Sequence, residues 1–590
     1  MSDAFTIGSH DLSGRIVELW RAGRPVHWLC GDEISRCGDA VQAAGRTITE
    51  DRRKEGGSGG GNGNGPGPKP VHVFFHDRFS GFYQGLPPAV PTASRCSLLP
   101  VALQCLLATQ QQLQGDPKLS TVELPFAPAD DLIVYFKSVD RRELEESPHT
   151  ITLVRNCIQA NMTAGGYSQS SQPSDRGKRM LILITPTLAM SPELPELKPE
   201  IVPLPDFATL RRVVMGVMGR QFALYDQSGG KQGAKRISED QIDLITQACS
   251  GFTTADAEEA ISLVWARHRA FDDPKVLDTL EQEKARIIAR IPGVTYVPRD
   301  QIVQHVLPGY ENLAHWVQER LKISRETAIK HGIKPIRGLA IGGAPGVGKT
   351  EMVKTLAWLM GRMLLLVNIG EIKGGIVGQS ESNMRKVIQL LEAMHALGMF
   401  DDIDKGGIGN AHQYAGDGGT SGNMVQALLT AMSNPASDAV FAFTFNRIPD
   451  MPELLRPGRV DRQFYAERPN ETTRLAILKD HAARAQMTCD DDGKLRLLAE
   501  VTRDWSGAEL AHILIKDEVV RAAAEGQTIL QVSRMLAQAQ ATTPQFAHAG
   551  FQQSIKEMEE ACAQFTRVGN LPEEQPRRRT TAARRERSTE

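Results

Sequence analysis

The run Gly343-Ala344-Pro345-Gly346-Val347-Gly348-Lys349-Thr350 sets glycines, a lysine and a hydroxyl in the order that cradles a polyphosphate. Glycines let the backbone curl so that successive N–H groups converge on an anion, and the helix start at Glu351 adds its positive end. Lys349 is placed to reach the outer phosphates, and Thr350 offers a hydroxyl to Mg2+. Further on, Asp401 and Asp402 close the apolar run ALGMF. The first suits the Mg2+ shell and the second the attacking water, although two aspartates alone would be a solvated strand end. Asn446 closes the run AVFAFTF and supplies a neutral amide for the same water or the terminal phosphate. In LLRPGRVDRQF, Arg456 and Arg459 stand three apart, and guanidinium groups suit the spread charge of a phosphoryl-transfer transition state. The implied chemistry is Mg2+-assisted hydrolysis of a nucleoside triphosphate. FNRIPD is not a guanine-reading NKxD, so a simple GTPase fits worse.

These residues need strands to carry them. GLAIG precedes the glycine-rich loop and the helix-like EMVKTLAWLMG follows it, and further apolar runs predict strands at 339–341, 364–367, 397–400 and 440–444. A similar rhythm comes earlier, at 26–30, 71–75, 132–136, 181–185 and 201–204. Each segment leaves through a Pro-containing exit (PLPDFATLRRVV; RPNETTRLAIL) into helices with a Ser-Gly step, CSGFTTADAEEAISLVWARH and WSGAELAHILIKDEVVRAA. The pattern predicts an α/β fold with two related units in tandem, each a parallel sheet with a helical lid. In the first unit, GDEISRCG stands where the phosphate loop would be but lacks its Lys and Thr, and is expected to bind no nucleotide. The expected organisation is a degenerate α/β unit over 1–270, a helical connector over 271–310, a nucleotide-binding subdomain over 311–475, a lid over 476–545, and a helix with a disordered basic tail over 546–590.

The 590 residues exceed what one core serves, and 41% hydrophobic with 23% charged residues is ordinary globular composition. A net charge of −2 gives no global field for nucleic acid or anionic membrane. No apolar run reaches the roughly 18 residues a span requires, and MSDAFTIGSHD does not read as a signal peptide. A cytoplasmic protein without membrane association is therefore expected. Eight cysteines (30, 37, 96, 105, 157, 249, 489, 562) contain no CxxC pair and are expected reduced, without a structural metal. The run GGSGGGNGNGPGPKP at 56–70 and the Arg-rich end at 572–590 have linker composition. The latter is either a solubilising end or a basic arm for nucleic acid.

The order of these motifs, with SGAEL in the lid, resembles the AAA clade of AAA+ ATPases over about 309–524. GQSESNMRKV resembles the corresponding helix of its valosin-containing and FtsH-type members. LPGYENLAHWVQERL, AIKHGIKPIRGLAIGGAPGVGKT, EIKGGIVGQSE and LDTLEQEKARIIARI resemble the plastid and cyanobacterial family called hypothetical chloroplast frame forty-six, as do RMLILITPTLAMSPEL and IVPLPDFATL upstream. The resemblance implies a P-loop module with ATP and Mg2+ as cofactors. It gives Asp401 the metal, makes Asn446 the first sensor, sends Arg456 and Arg459 to a neighbouring subunit's ATP, brings Gly507 and Ala508 to the nucleotide from the lid, and sets Gly309 beside adenine. It also implies a homo-oligomer, pictured as a ring, that remodels or regulates a protein partner, and a stromal location if the gene is plastid-borne. Two positions depart from the pattern. Asp402 stands for the usual Glu, one methylene shorter, which points to slow turnover; Ile376, after Gly374-Gly375, stands for the pore-loop aromatic, with Tyr414 in GNAHQYAGDGGTSG as another candidate to line a pore. The alternatives are a nucleotide-gated scaffold with slow hydrolysis and a DNA-associated protein using the basic tail.

Overall fold

Runs of Val, Ile, Leu and Phe too short for helices, closed by Gly, Pro or Asp, form the strands of two mainly parallel sheets, and amphipathic segments between them cover both faces. A computed structural model describes residues 12–57, 70–77, 81–84, 98–107, 126, 130–137, 139, 144, 147–164, 178–185, 194, 197, 199–227, 237–302, 304–372, 379–404, 420–434, 437–448 and 453–569. The chain divides into two compact units, Met1–Lys284 and Ala285–Glu590. The segments 58–69 and 570–590, the loop holding Gly374, Gly375 and Ile376, and the insert holding Tyr414 lie outside the described residues.

In the first unit, α1 (Leu12–Arg21) leads to β1 (Val26–Cys30), α2 (Ile34–Gly57), β2 (Val71–Asp77), β3 (Gly81–Tyr83), α3 (Leu99–Leu107), β4 (Asp131–Phe136), α4 (Pro148–Ala164), β5 (Arg179–Thr185) and β6 (Pro199–Ile201). The strand order is β3-β2-β4-β5-β1-β6, parallel except for β3. Side chains alternate between two cores: Trp28, Val134 and Leu183 join one, and Leu29, Ile133 and Ile182 the other. Burying each such side chain contributes about 1.5–3 kcal/mol. Helices α5 (Phe207–Gln227), α6 (Glu239–Ala248) and α7 (Thr254–His268) follow, and the unit boundary falls within α8 (Lys275–Ile288).

The second unit runs β7 (Val294–Val297), α9 (Glu311–Leu321), α10 (Arg325–Lys330), β8 (Gly338–Gly343), α11 (Lys349–Leu359), β9 (Leu364–Val367), α12 (Ile369–Ile372), α13 (Gln379–Ala393), β10 (Leu397–Phe400), α14 (Thr420–Ser433), β11 (Val440–Phe445) and β12 (Arg462–Ala466). Its sheet order is β15-β12-β8-β11-β10-β9-β7, with only β7 antiparallel among the described residues. Numbering each unit's five main parallel strands along the chain gives 5-1-4-3-2 across both sheets, so the two units share one topology. The lid comprises α15 (Glu471–Arg484), α16 (Asp492–Val501), a helix whose parts are α17 (Gly507–Glu509), a π segment (Leu510–Lys516) and α18 (Asp517–Ala524), then α19 (Val532–Ala541). Trp505, Leu510, Leu514 and Leu478 fill its own core. The short pair β13 (Thr488–Cys489) and β14 (Ile529–Leu530) staples the lid. After α20 (Ala549–Ala561), β15 (Thr566–Arg567) pairs with β12.

Three details differ from the sequence reading. The fifth strand of the first unit is Pro199–Ile201 and not 201–204, because Pro203 and Pro205 cannot donate to a ladder. The Ser-Gly steps are not equivalent: Ser506 caps its helix, whereas Thr253, three residues past Ser250, caps α7. The segment after residue 546 returns to the sheet as β15 before the tail begins. The seven cysteines among the described residues are thiols, and those residues hold no cluster of metal-ligating side chains and no helix long and apolar enough to cross a membrane.

Candidate functional site

Strand β8 is buried along its whole length, with β11 on one side and β12 on the other. Its partners place the ends of β8, β10 and β11 at one edge of the sheet, where parallel sheets bind ligands. Five residues, 344–348, carry the chain from β8 to α11. Gly346 and Gly348 adopt φ of 83° and 92°, a left-handed region that favours glycine. A Cβ at Gly348 would lie 2.3 Å from the Tyr310 hydroxyl, and one at Gly346 would lie 3.0 Å from Ser506 Oγ. The loop is thus a bare backbone cradle opening on a cleft of about 730 Å3.

Lys349 is buried at the cleft wall, and its Nζ donates to Gly343 O (2.9 Å), Ala344 O (3.0 Å) and Asn446 Oδ1 (2.8 Å). Asn446 Nδ2 donates to Asp402 Oδ1 at 2.6 Å, completing a Lys349–Asn446–Asp402 chain. Thr444, buried on β11, donates through Oγ1 to Asp401 Oδ1 and accepts from the Asp402 N–H at 3.1 Å. Asp402 itself has φ 46°, an uncommon state for a non-glycine residue. Asp404 Oδ1 accepts the Asn446 N–H at 3.2 Å, so Asn446 is fixed through backbone and side chain.

Pro345, Val347 and Thr350 line the cleft, as do Glu351, which holds Lys354 Nζ at 2.7 Å, and Asp401 and Asp402. Gly343 and Ala344 do not line it and act through their carbonyls on Lys349. Gly309, with φ 87°, Gly507 and Ala508 line it from the sides, and the Ala508 N–H donates to Gly346 O at 3.1 Å, tying lid to loop. The lid helix starts with a capping box in which Ser506 and Glu509 satisfy each other's backbone N–H groups. Arg456 and Arg459 do not line this cleft: Arg456 is exposed and Arg459 donates to Glu453 O at 2.8 Å.

Sequence reasoning missed the far wall. Tyr310 is buried, its hydroxyl donates to Gly348 O at 3.0 Å, and burial pushes its phenol pKa up. His481 and Arg484 of α15 also line the cleft, and burial, then Arg484, holds the His481 imidazole below its ordinary range. Only their spacing of three on one helix could have signalled a shared wall. Val568 and Gly569, just past β15, line the cleft as well.

Residues 339–468 match the family model described as ATPase family associated with various cellular activities (AAA), and residues 215–291 match the second domain of SpoVK-like AAA ATPases. An uncharacterized AAA domain-containing protein ycf46 of Pyropia yezoensis is 28% identical over 284 residues, 48% of this chain and 56% of that protein. Its counterpart in Trieres chinensis is 27% identical over 282 residues, with the same coverage of 48% and 56%. Protein SAV of Sulfolobus acidocaldarius is 28% identical over 317 residues, 48% of this chain and 40% of that protein. The chain spans about half the length of the curated relatives it matches.

Proposed function

We propose that this chain, which carries an AAA ATPase domain and has homologues among the ycf46 AAA domain-containing proteins, hydrolyses ATP with Mg2+ as an oligomer and uses the cycle to remodel or regulate a protein partner. The observation that carries the reading is the Lys349–Asn446–Asp402 chain at the mouth of a glycine cradle.

The residues present fit both cofactors. Gly346 and Gly348 let the loop pass against Ser506 and Tyr310, where a Cβ would collide, and line the cleft as bare backbone, while the Thr350 hydroxyl and Asp401 carboxylate are hard oxygen donors of the kind Mg2+ takes. Bound ATP with Mg2+ would supply the phosphoanhydride to be cleaved. Lys349 presents a fixed positive charge to it, and Asn446 holds that ammonium and the Asp402 carboxylate in register. Asp402 is the acceptor for the proton of the attacking water, and Thr444 steadies both aspartates. Gly309 and the His481 side bound the remainder of the nucleotide, and Arg456 and Arg459 serve a neighbouring subunit's site. The bounds 311–475 for the nucleotide-binding subdomain and 476–545 for the lid go with this reading, as do soluble, cytoplasmic or stromal operation.

The test is nucleotide binding by Lys349→Ala. Loss of the ammonium removes the cation seated at the cradle, and binding of a fluorescent ATP analogue should weaken ~10- to 100-fold, the scale of a charge-assisted hydrogen bond removed from a buried site. Unchanged affinity would place the nucleotide elsewhere.

A further inference from the structure

The two sheets share one strand order, so the first unit also has a loop leading from its first strand to its first long helix. Only three residues, 31–33, make that connection, against five in the second unit. Glu33 precedes α2 as Gly348 precedes α11, and each carbonyl accepts the first i→i−4 hydrogen bond of its helix, from the Cys37 and Met352 N–H groups. Where Gly348 has no side chain, Glu33 has a carboxylate only 2% exposed. Its Oε1 accepts the Thr254 N–H at 2.9 Å and its Oε2 accepts Thr254 Oγ1–H at 2.9 Å, with Arg36 Nε 3.4 Å from Oε2. Thr254 is the first residue of α7 after its N-cap, as Gly507 is the first after Ser506 in the second lid. A cleft of about 750 Å3 lies alongside, walled by Thr209, Val213 and Arg220 of α5 and by Thr254 and Ala255. Thr473, Ile477 and Arg484 of α15, with Gly507 and Ala508, stand at the same spacing in the other unit.

We propose that the first unit retains the anion cradle of a nucleotide site but fills it with its own ligand, the Glu33 carboxylate, which fastens the lid helix α7 to the sheet in place of a phosphate. A lid held by a covalently tethered anion stays docked whatever nucleotide is present. The cradle consists of the Thr254 N–H and hydroxyl and the Arg36 guanidinium. Arg36 also donates to Pro203 O beyond β6, so the same guanidinium ties the cradle to the sheet edge. A diphosphate or triphosphate is excluded because its charge would meet a carboxylate already seated among the donors.

The prediction is chemical rescue. Hydrogen exchange at residues 254–258 would be followed in the full-length chain with Lys349→Ala, so that the second unit's site is disabled. Glu33→Ala should raise exchange there about tenfold, the scale of a missing charge-assisted hydrogen bond. Excess sodium acetate, compared with sodium chloride of equal ionic strength, should restore protection in the variant and leave the native Glu33 protein unchanged. Glu33→Gln, which keeps the shape and one acceptor, should show a smaller rise and no acetate response, and remains readable if the alanine variant fails to fold. ATP should leave exchange at 254–258 unchanged in the protein with Glu33 intact. Native-like exchange in both variants, acetate acting no better than chloride on a folded Glu33→Ala, or protection of 254–258 by ATP with Glu33 intact would each overturn the proposal.

Discussion

Asp402 combines three constraints that pull on one side chain. Its backbone sits at φ 46°, a state costing roughly 1–2 kcal/mol for an ordinary L-residue. Thr444 Oγ1 accepts its N–H, and Asn446 Nδ2 holds its carboxylate at 2.6 Å. Asn tolerates that backbone state as well as Asp does, so Asp402→Asn should bind ATP much as before. It cannot accept a proton, and single-turnover hydrolysis should fall ~100- to 10,000-fold, the range assigned to a positioned general base. Asp402→Glu should instead raise the rate, by up to ~100-fold if the shorter acid is displaced about 1 Å from its best position. The same assay decides between them. A fall with Glu would mean that the Lys349–Asn446–Asp402 chain is built around the shorter acid, and the slow-turnover expectation would lose its ground.

Strands show the same interplay of burial and charge. His27 lies within β1, nearly inaccessible, with Nε2 3.4 Å from Glu200 Oε2 on the neighbouring β6, and Arg15 also bonds Glu200. Burial lowers the His27 pKa to about 4; Glu200 opposes this and Arg15 adds to it. Between the ordinary histidine value of 6.5 and about 4, the unfolded chain takes up a proton that the folded strand refuses. Stability from His27 is therefore complete above pH 6.5 and is lost as pH falls toward 4. Melting of the first unit should decline over that window, and His27→Gln should flatten the decline; equal slopes with and without His27 would refute it. That charge effect was invisible in the sequence, where His27 is one polar residue in VHWLC. The strands themselves were legible because buried parallel strands are continuous apolar runs. Those carrying Lys349, Asp401 and Asn446 were legible also because phosphate chemistry restricts the residue types beside them. By contrast, β12 begins with Arg462-Gln463 and β15 is Thr566-Arg567, and their place in the sheet is set by their neighbours. The walls formed by Tyr310, His481 and Arg484 were hidden for the same reason: each is an ordinary helix or turn residue until the lid folds over the loop.

At the scale of the whole molecule, the proposed oligomer would bring the arginines to the cleft of a neighbouring copy. Arg456 and Arg459 follow β11 on a turn and do not line the cleft of their own chain, while Lys349 and Asp402 do. An arginine finger at a phosphoryl-transfer site is worth ~1,000- to 100,000-fold in rate, so a site deprived of Arg459 in that role would be nearly silent. If the arginines act across a subunit interface, Lys349→Ala and Arg459→Ala chains are each inactive alone for different reasons. Mixed at equal amounts in a head-to-tail ring, about a quarter of the interfaces should pair an intact Lys349 with an intact Arg459, since each condition is met by half the subunits. ATPase activity of the mixture should therefore rise toward a quarter of the native rate, with a maximum near equal proportions. Activity that never exceeds that of the separate variants at any ratio, in preparations shown by light scattering to co-assemble, would mean that the arginines act within one chain or not at all, and their cross-subunit role would fall.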